Sequence, residues 1–267
     1  MRWYPLLLQC LPVLAGWVIF PVHADVSLRI MDNHGSESTV YVHAGRCRLD
    51  STAMPGYALI DTRDHSLVYA DPARGEYSTL SETQLRDRLD QLDKVRESLA
   101  PHMETLRGGL EALPAEQRAL FEQFLAGKAP PAAGVPVRLV SDGGMQHFAG
   151  LRCAHHHLLE GRHEVGDACL MQRPGGPLSA GDFNTLDTVM TLLRRYSGRA
   201  GGLLALAGNK SVLLQAQVDG IPLSLRDFET GDSYRVIASS PARIDDQLFS
   251  NYRRYRLVAA PALTDLF

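Results

Sequence analysis

The 267-residue chain carries 27 Lys and Arg against 30 Asp and Glu, a formal net charge of −3, and 45% apolar residues. That balance excludes the basic footprint of a nucleic-acid-binding protein. The length suits one large domain or two small ones.

The first element is a leader. Arg2 precedes an apolar run from Trp3 to Phe20 whose strongly polar interruption is Gln9. Val22 and Ala24 then supply the small residues that signal peptidase needs at −3 and −1. Residues 1–24 are therefore expected to be a secretory signal peptide cleaved near Ala24, leaving a periplasmic or secreted chain of 25–267. Gln9, directly before Cys10, is not the small residue of a lipoprotein signal. No later stretch is apolar enough to span a bilayer, which predicts a mature chain without a transmembrane anchor.

Residues 26–79 read as an antiparallel meander, with strands over 26–31, 39–43, 46–50, 57–61 and 67–71. Asn33-His34-Gly35, Pro55-Gly56 and Arg63-Asp64-His65 punctuate them as turns. The pattern changes at Leu80. Ser81 and Gln84 make a capping box, with Leu80 and Leu85 at the staple positions. Leu85, Leu89, Leu92, Leu99, Met103, Leu106 and Leu110 then form one apolar stripe on a long helix, which Pro101 breaks. Pro114 opens a second helix that Gly127 stops. The two make a central helical insert over about 81–127 of a single domain, with the stripe expected to pack on the sheet. Residues 128–136, rich in Ala and Pro, read as a linker.

Strands resume at Val137. Ser179 and Asp182 cap a further helix to Tyr196, with Phe183, Leu186, Val189, Met190 and Leu193 on its apolar face and Arg194-Arg195 in its last turn. Strands follow over 211–218, 221–228 and 234–239, the last two joined by the turn Glu229-Thr230-Gly231-Asp232. Strands at both ends and helices between them predict an α+β fold, an antiparallel sheet with helices on one face.

Reactive side chains concentrate in Cys153-Ala154-His155-His156-His157, His163 and Cys169. A hairpin folded symmetrically about Gly161 sets Cys153 opposite Cys169, His155 opposite Asp167, His157 opposite Val165 and Leu159 opposite His163. After export, a Cys153–Cys169 disulfide is expected, leaving Cys47 over. The same alternation offers a metal site of His155, His157 and His163, with Asp167 beside them. Asp61, Asp64 and Asp71 stand at strand ends and turns, where Asp serves the turn. The chain has no Gly-x-Ser-x-Gly elbow, no His-Glu-x-x-His and no phosphate-binding glycine loop. Gly143-Gly144, Gly175-Gly176 and Gly201-Gly202 read as turns. Neither a catalytic residue nor a cofactor is expected.

Several short motifs resemble a bacterial exported family of unknown function. They are Arg46-Cys47-Arg48-Leu49-Asp50, the strand ending at Asp61, Leu67-Val68-Tyr69-Ala70-Asp71, and Glu76-Tyr77. Gly150-Leu151-Arg152-Cys153, Gly220-Ile221-Pro222 and Leu248-Phe249 continue the progression after the insert. The resemblance implies a fold similar to periplasmic lipoprotein carriers of the LolA/LolB type: a curved, incomplete antiparallel barrel under a helical lid.

The expected function is a non-enzymatic binding protein that takes a lipid or other hydrophobic molecule in such a half-barrel. The alternatives are an envelope scaffold that meets a partner protein through the leucine stripe or Cys47, and metal binding by the histidines.

Overall fold

Period-2 alternation builds most of the molecule. The computed structural model describes residues 25–91, 94, 137–206 and 219–260. The expected leader, the expected insert beyond residue 94 with its linker, and the strand expected over 211–218 lie outside the described residues. Six strands come first: β1 (Asp25–Asp32), β2 (Glu37–His43), β3 (Arg46–Ser51), β4 (Tyr57–Asp61), β5 (Ser66–Asp71) and β6 (Glu76–Leu80). Helix α1 covers residues 82–91. Then come β7 (Val137–Phe148), β8 (Leu151–Glu160), β9 (His163–Met171) and helix α2 (Ala180–Leu206). The chain continues with β10 (Ile221–Asp227), β11 (Ser233–Ala242), two 3-10 turns (Asp246–Phe249 and Asn251–Arg254) and β12 (Arg256–Leu257).

All twelve strands join one sheet in the order β12-β6-β5-β4-β3-β2-β1-β11-β10-β9-β8-β7. Every pairing is antiparallel except β12 on β6. Among the described residues the sheet does not close, and β12 and β7 are its two edges. Its turns follow local chemistry. Ala44-Gly45 and Ala149-Gly150 are two-residue hairpin loops with positive φ at both positions, the geometry that matches strand twist.

Alternation decides what each face buries. Val26 and Leu28 of β1, Val42 of β2 and Cys47 of β3 enter one buried cluster with Leu186 and Val189 of α2. Cys153, Cys169, Met171, Ile221 and Leu223 belong to the same cluster. The opposite face of β3–β5 buries Tyr57, Leu59, Val68 and Ala70 beneath Phe249 from the first 3-10 turn. Arg48 donates to the Leu248 carbonyl at 2.7 Å and lies 3.6 Å over the Tyr57 ring. Arg46 pairs with Asp246 and stacks on Phe249. The C-terminal stretch is thus strapped across the sheet.

Both capping expectations hold. Gln84 N donates to Ser81 Oγ at 3.2 Å while Ser81 N donates to Gln84 Oε1 at 2.9 Å. Asp182 N donates to Ser179 Oγ at 3.1 Å, and Ser179 N and Oγ both donate to Asp182. Two details of α2 differ from expectation. The helix runs past Gly198 to Leu206, because an interior Gly costs only about 1 kcal/mol and no proline follows. Leu192 is buried in place of Leu193, which is 48% exposed. Among the described residues no helix is long and apolar enough to cross a membrane.

Strands β10 and β11 pair over three residues only, Ser224–Arg226 with Ser233–Arg235. Each has a register shift just beyond, at Pro222/Ser224 against β9 and at Arg29/Ile30 against β1. The sheet turns a corner there. Ser239 of β11 donates to the Ala149 carbonyl in the β7–β8 turn at 2.5 Å.

Candidate binding cleft and histidine cluster

The β8–β9 hairpin closes through Gly161-Arg162, so Glu160 faces His163 and not, as symmetry about Gly161 predicts, Leu159. A bulge at Leu158/Leu159 then leaves Val165 unpaired. His155 therefore faces Cys169 and His157 faces Asp167, correcting the expected partners Asp167 and Val165. Cys153 and Cys169 are bonded one diagonal step apart, with Cα atoms 5.4 Å from each other. Both thiolates are thereby removed from any ligand set. Cys47 is a buried free thiol, and burial pushes its pKa up to about 12.

His155 and His157 come together, with ring centroids 5.2 Å apart at 87°. Their third companion is Asp142. His163 is exposed beside the hairpin turn, outside the group. Strand β7 reaches Asp142 through a bulge: Ser141 pairs with His156 and Met145 with Ala154, so three residues of β7 oppose His155 alone. Gly143-Gly144, expected as a turn, lies inside this strand. Gly143 takes φ 76°, and a Cβ on Gly144 would sit 2.9 Å from Asp142 Oδ1. Gly144 N donates to that oxygen at 2.7 Å. The bulge thus aims Asp142 Oδ2 at the histidines, 2.7 Å from His155 Nδ1 and 3.8 Å from His157 Nε2. The other nitrogen of His157, Nδ1, lies 2.6 Å from Glu164 Oε1.

The electrostatics follow. The Gly144 amide, then the His155 ring, hold the Asp142 carboxyl below its ordinary range. Glu164 raises the His157 imidazole above its own. His156 points to the opposite face, where it is buried with its Nδ1 against the Ala154 carbonyl.

A cleft of about 490 Å³ opens at the corner between β10 and β11. Met31 and Phe148 line it beside Arg226 and Arg235. Leu225 and Tyr234 border it too, but they alternate with the arginines and pack with Leu158, Val165 and Leu170 on the opposite face. Neither arginine makes an ion pair among the described residues; Arg226 rests on the Phe228 ring at 5.4 Å. Asp32 and Asp167 also line the cleft. The Asp32 carboxylate is occupied by the His34 and Ser36 amides. Register connects cleft and histidines: His157, Asp167, Arg226 and Ser233 form one cross-strand row over β8, β9, β10 and β11. His157 and Arg226 are therefore two strand spacings apart, about 10 Å.

The turn aspartates serve turns. Asp61 accepts from Arg63 N, Asp64 from Ser66 N, and Asp71 from Ala73 N and Arg74 N. Sequence reasoning missed Asp142 and Glu164. An Asp-Gly-Gly inside a strand pattern is itself a bulge signal, but the register that brings Glu164 to His157 depends on the second bulge and has no local signature.

No protein-family model matches the chain, and no curated protein matches its sequence. Among solved structures, an uncharacterized conserved protein from Thermus thermophilus aligns over 90% of this chain and 92% of its own, with a TM-score of 0.37 and 8% identity.

Proposed function

We propose that the chain is an exported, non-enzymatic binding protein that takes an amphiphile with a charged head, a fatty acid or lipid, in the cleft at the β10–β11 corner. The observation that carries this reading is the pairing of Arg226 and Arg235, both without a carboxylate partner among the described residues, with the apolar side chains of Met31 and Phe148 in the same cleft. Guanidinium groups hold a carboxylate or phosphate through paired N–H donors. A cleft of this volume lies within the range of small-molecule sites.

The fold reading belongs with it: an incomplete barrel of the LolA/LolB type, with helices over one face. Support comes from the long sheet left open between β12 and β7 and from the burial of α2 side chains with those of β1–β3. The space between α2 and the sheet is filled by side chains among the described residues, which favours cargo at the corner over cargo beneath the helix. The disulfide and the apolar leader support export.

Solvent extraction of the purified protein followed by mass spectrometry tests the reading. A copurifying lipid is expected, together with uptake of a fluorescent fatty acid that falls at least about tenfold in Arg226→Gln plus Arg235→Gln, each guanidinium–carboxylate contact contributing more than about 1 kcal/mol. No copurifying lipid and no uptake would sink it.

A further inference from the structure

We propose that Asp142, His155 and His157 form a binding site for one divalent first-row transition-metal ion of the zinc, copper or nickel type. One donor atom from each of the three lies within 4.8 Å of the others. Three ligands on a tetrahedral ion at about 2.1 Å stand about 3.4 Å apart. The observed separations of 2.7 Å from Asp142 Oδ2 to His155 Nδ1, and 3.8 Å to His157 Nε2, bracket that value. Small side-chain rotations suffice to close the shell.

Three features distinguish this group from a casual surface cluster. The first is the β7 bulge, which has two more residues than its partner strand needs and uses them to turn Asp142 toward the histidines. Bulges are devices for re-aiming a side chain. The second is Glu164, which accepts a hydrogen bond from His157 Nδ1–H and leaves Nε2 directed at Asp142. A carboxylate behind a histidine is the usual outer support of a metal ligand. The third is the disulfide, which ties β8 to β9 beside the two histidines, since Cys169 is the cross-strand partner of His155. A ligand set works best on strands held rigidly by their surroundings.

Donor chemistry names the ion class. Two imidazoles and one carboxylate suit zinc, copper and nickel, whereas magnesium and calcium want oxygen donors. Three protein ligands leave a position for water or an exogenous group. The ligand set is not that of the histidine spacing alone: Asp142 stands where His163 was expected.

Calorimetry on tag-free, delipidated protein decides this independently of lipid binding. Zinc, copper and nickel are each titrated, with magnesium as the control. One ion per chain is expected for at least one of the three, and none for magnesium. His155→Ala and His157→Ala should each abolish that binding, and Asp142→Asn should weaken it at least about tenfold, as the carboxylate is a direct ligand and even outer partners are worth that much. His163→Ala should leave it unchanged. Cobalt provides the second readout, since a tetrahedral site gives it an intense visible band that His155→Gln removes while circular dichroism shows the fold intact. Absence of stoichiometric binding overturns the proposal, as does binding that survives Asp142→Asn plus His155→Ala or that disappears in His163→Ala.

Discussion

Glu164 Oε1 lies 2.6 Å from His157 Nδ1, and this contact determines which nitrogen of His157 faces Asp142. A carboxylate accepts and does not donate, so the ring must carry its proton on Nδ1. Glu164→Gln keeps the size of the side chain but loses the charge that fixes this arrangement. Metal affinity should fall by about 10- to 100-fold, with thermal stability unchanged because the pair is on the surface. Calorimetry and a melting curve on the same sample separate the two effects.

The bulge glycine makes a sharper prediction. An added Cβ at Gly144 would meet Asp142 Oδ1 at 2.9 Å. That oxygen is the far end of a mobile side chain, so the carboxylate yields before the backbone does. Gly144→Ala should therefore cost no more than about 0.5 kcal/mol in unfolding. It should still displace Asp142 from His155, read as a chemical-shift change at the His155 ring and a weaker affinity for the ion.

Most of the sheet was legible because alternation is a local signal. Strands β1 to β5 and the caps at Ser81 and Ser179 follow from residues adjacent in sequence. The site was legible only in part, because its geometry depends on two bulges. The two-residue turn Gly161-Arg162 and unpaired Val165 together shift His155 from Asp167 to Cys169, and the extra residues around Gly143 bring in Asp142 from another strand. Register is a non-local property, and a single inserted residue moves every cross-strand partner beyond it. Strand β12 was missed for a related reason: its two residues pair in parallel with β6 across 180 positions of chain.

The disulfide should contribute measurably to stability. Cys153 and Cys169 close a loop of sequence separation 16, for which chain entropy gives about 3 kcal/mol. Cys153→Ala plus Cys169→Ala should lower Tm by about 6–12 °C in a protein of this size. Reductant should lower the Tm of the unaltered protein similarly and leave the variant where it is. Equal sensitivity to reductant in both would assign the effect to something other than this bond.

Cys47 behaves oppositely. It is buried in the α2-facing cluster, and burial pushes its pKa up to about 12. The thiolate is the reactive form, so at about pH 8 the folded protein should leave Cys47 unlabelled by iodoacetamide for hours. Unfolding should expose it to complete labelling, located by peptide mapping. Rapid native labelling at Cys47 would revive it as a partner contact.

Acid should loosen the C-terminal strap before the sheet. Asp246 accepts from Arg46, and that hydrogen bond, with the attraction of the same guanidinium and of His43, holds its carboxyl below the ordinary 3.8. A folded-state pKa lower than the unfolded one means the unfolded chain binds more protons, so the stabilisation is present above 3.8 and is lost as pH falls below it. Phe249 is 4% exposed under the Arg46 guanidinium and packs on Leu59 and Val68. Releasing Asp246 therefore removes the polar anchor of a buried aromatic. Acid titration followed by tyrosine fluorescence should report the Tyr57–Tyr252–Tyr255 cluster changing below about pH 4, ahead of the far-ultraviolet signal of the strands. Asp246→Asn should remove that early step by making the strap equally loose at neutral pH. Phe249→Ala should cost about 3–5 kcal/mol at every pH, since it empties the packed site and not the ion pair. An early acid step that persists in Asp246→Asn would assign it to another carboxylate, with Asp61 the next to substitute, since the Arg63 hydrogen bond and the nearby Arg46 charge hold its carboxyl below the ordinary range.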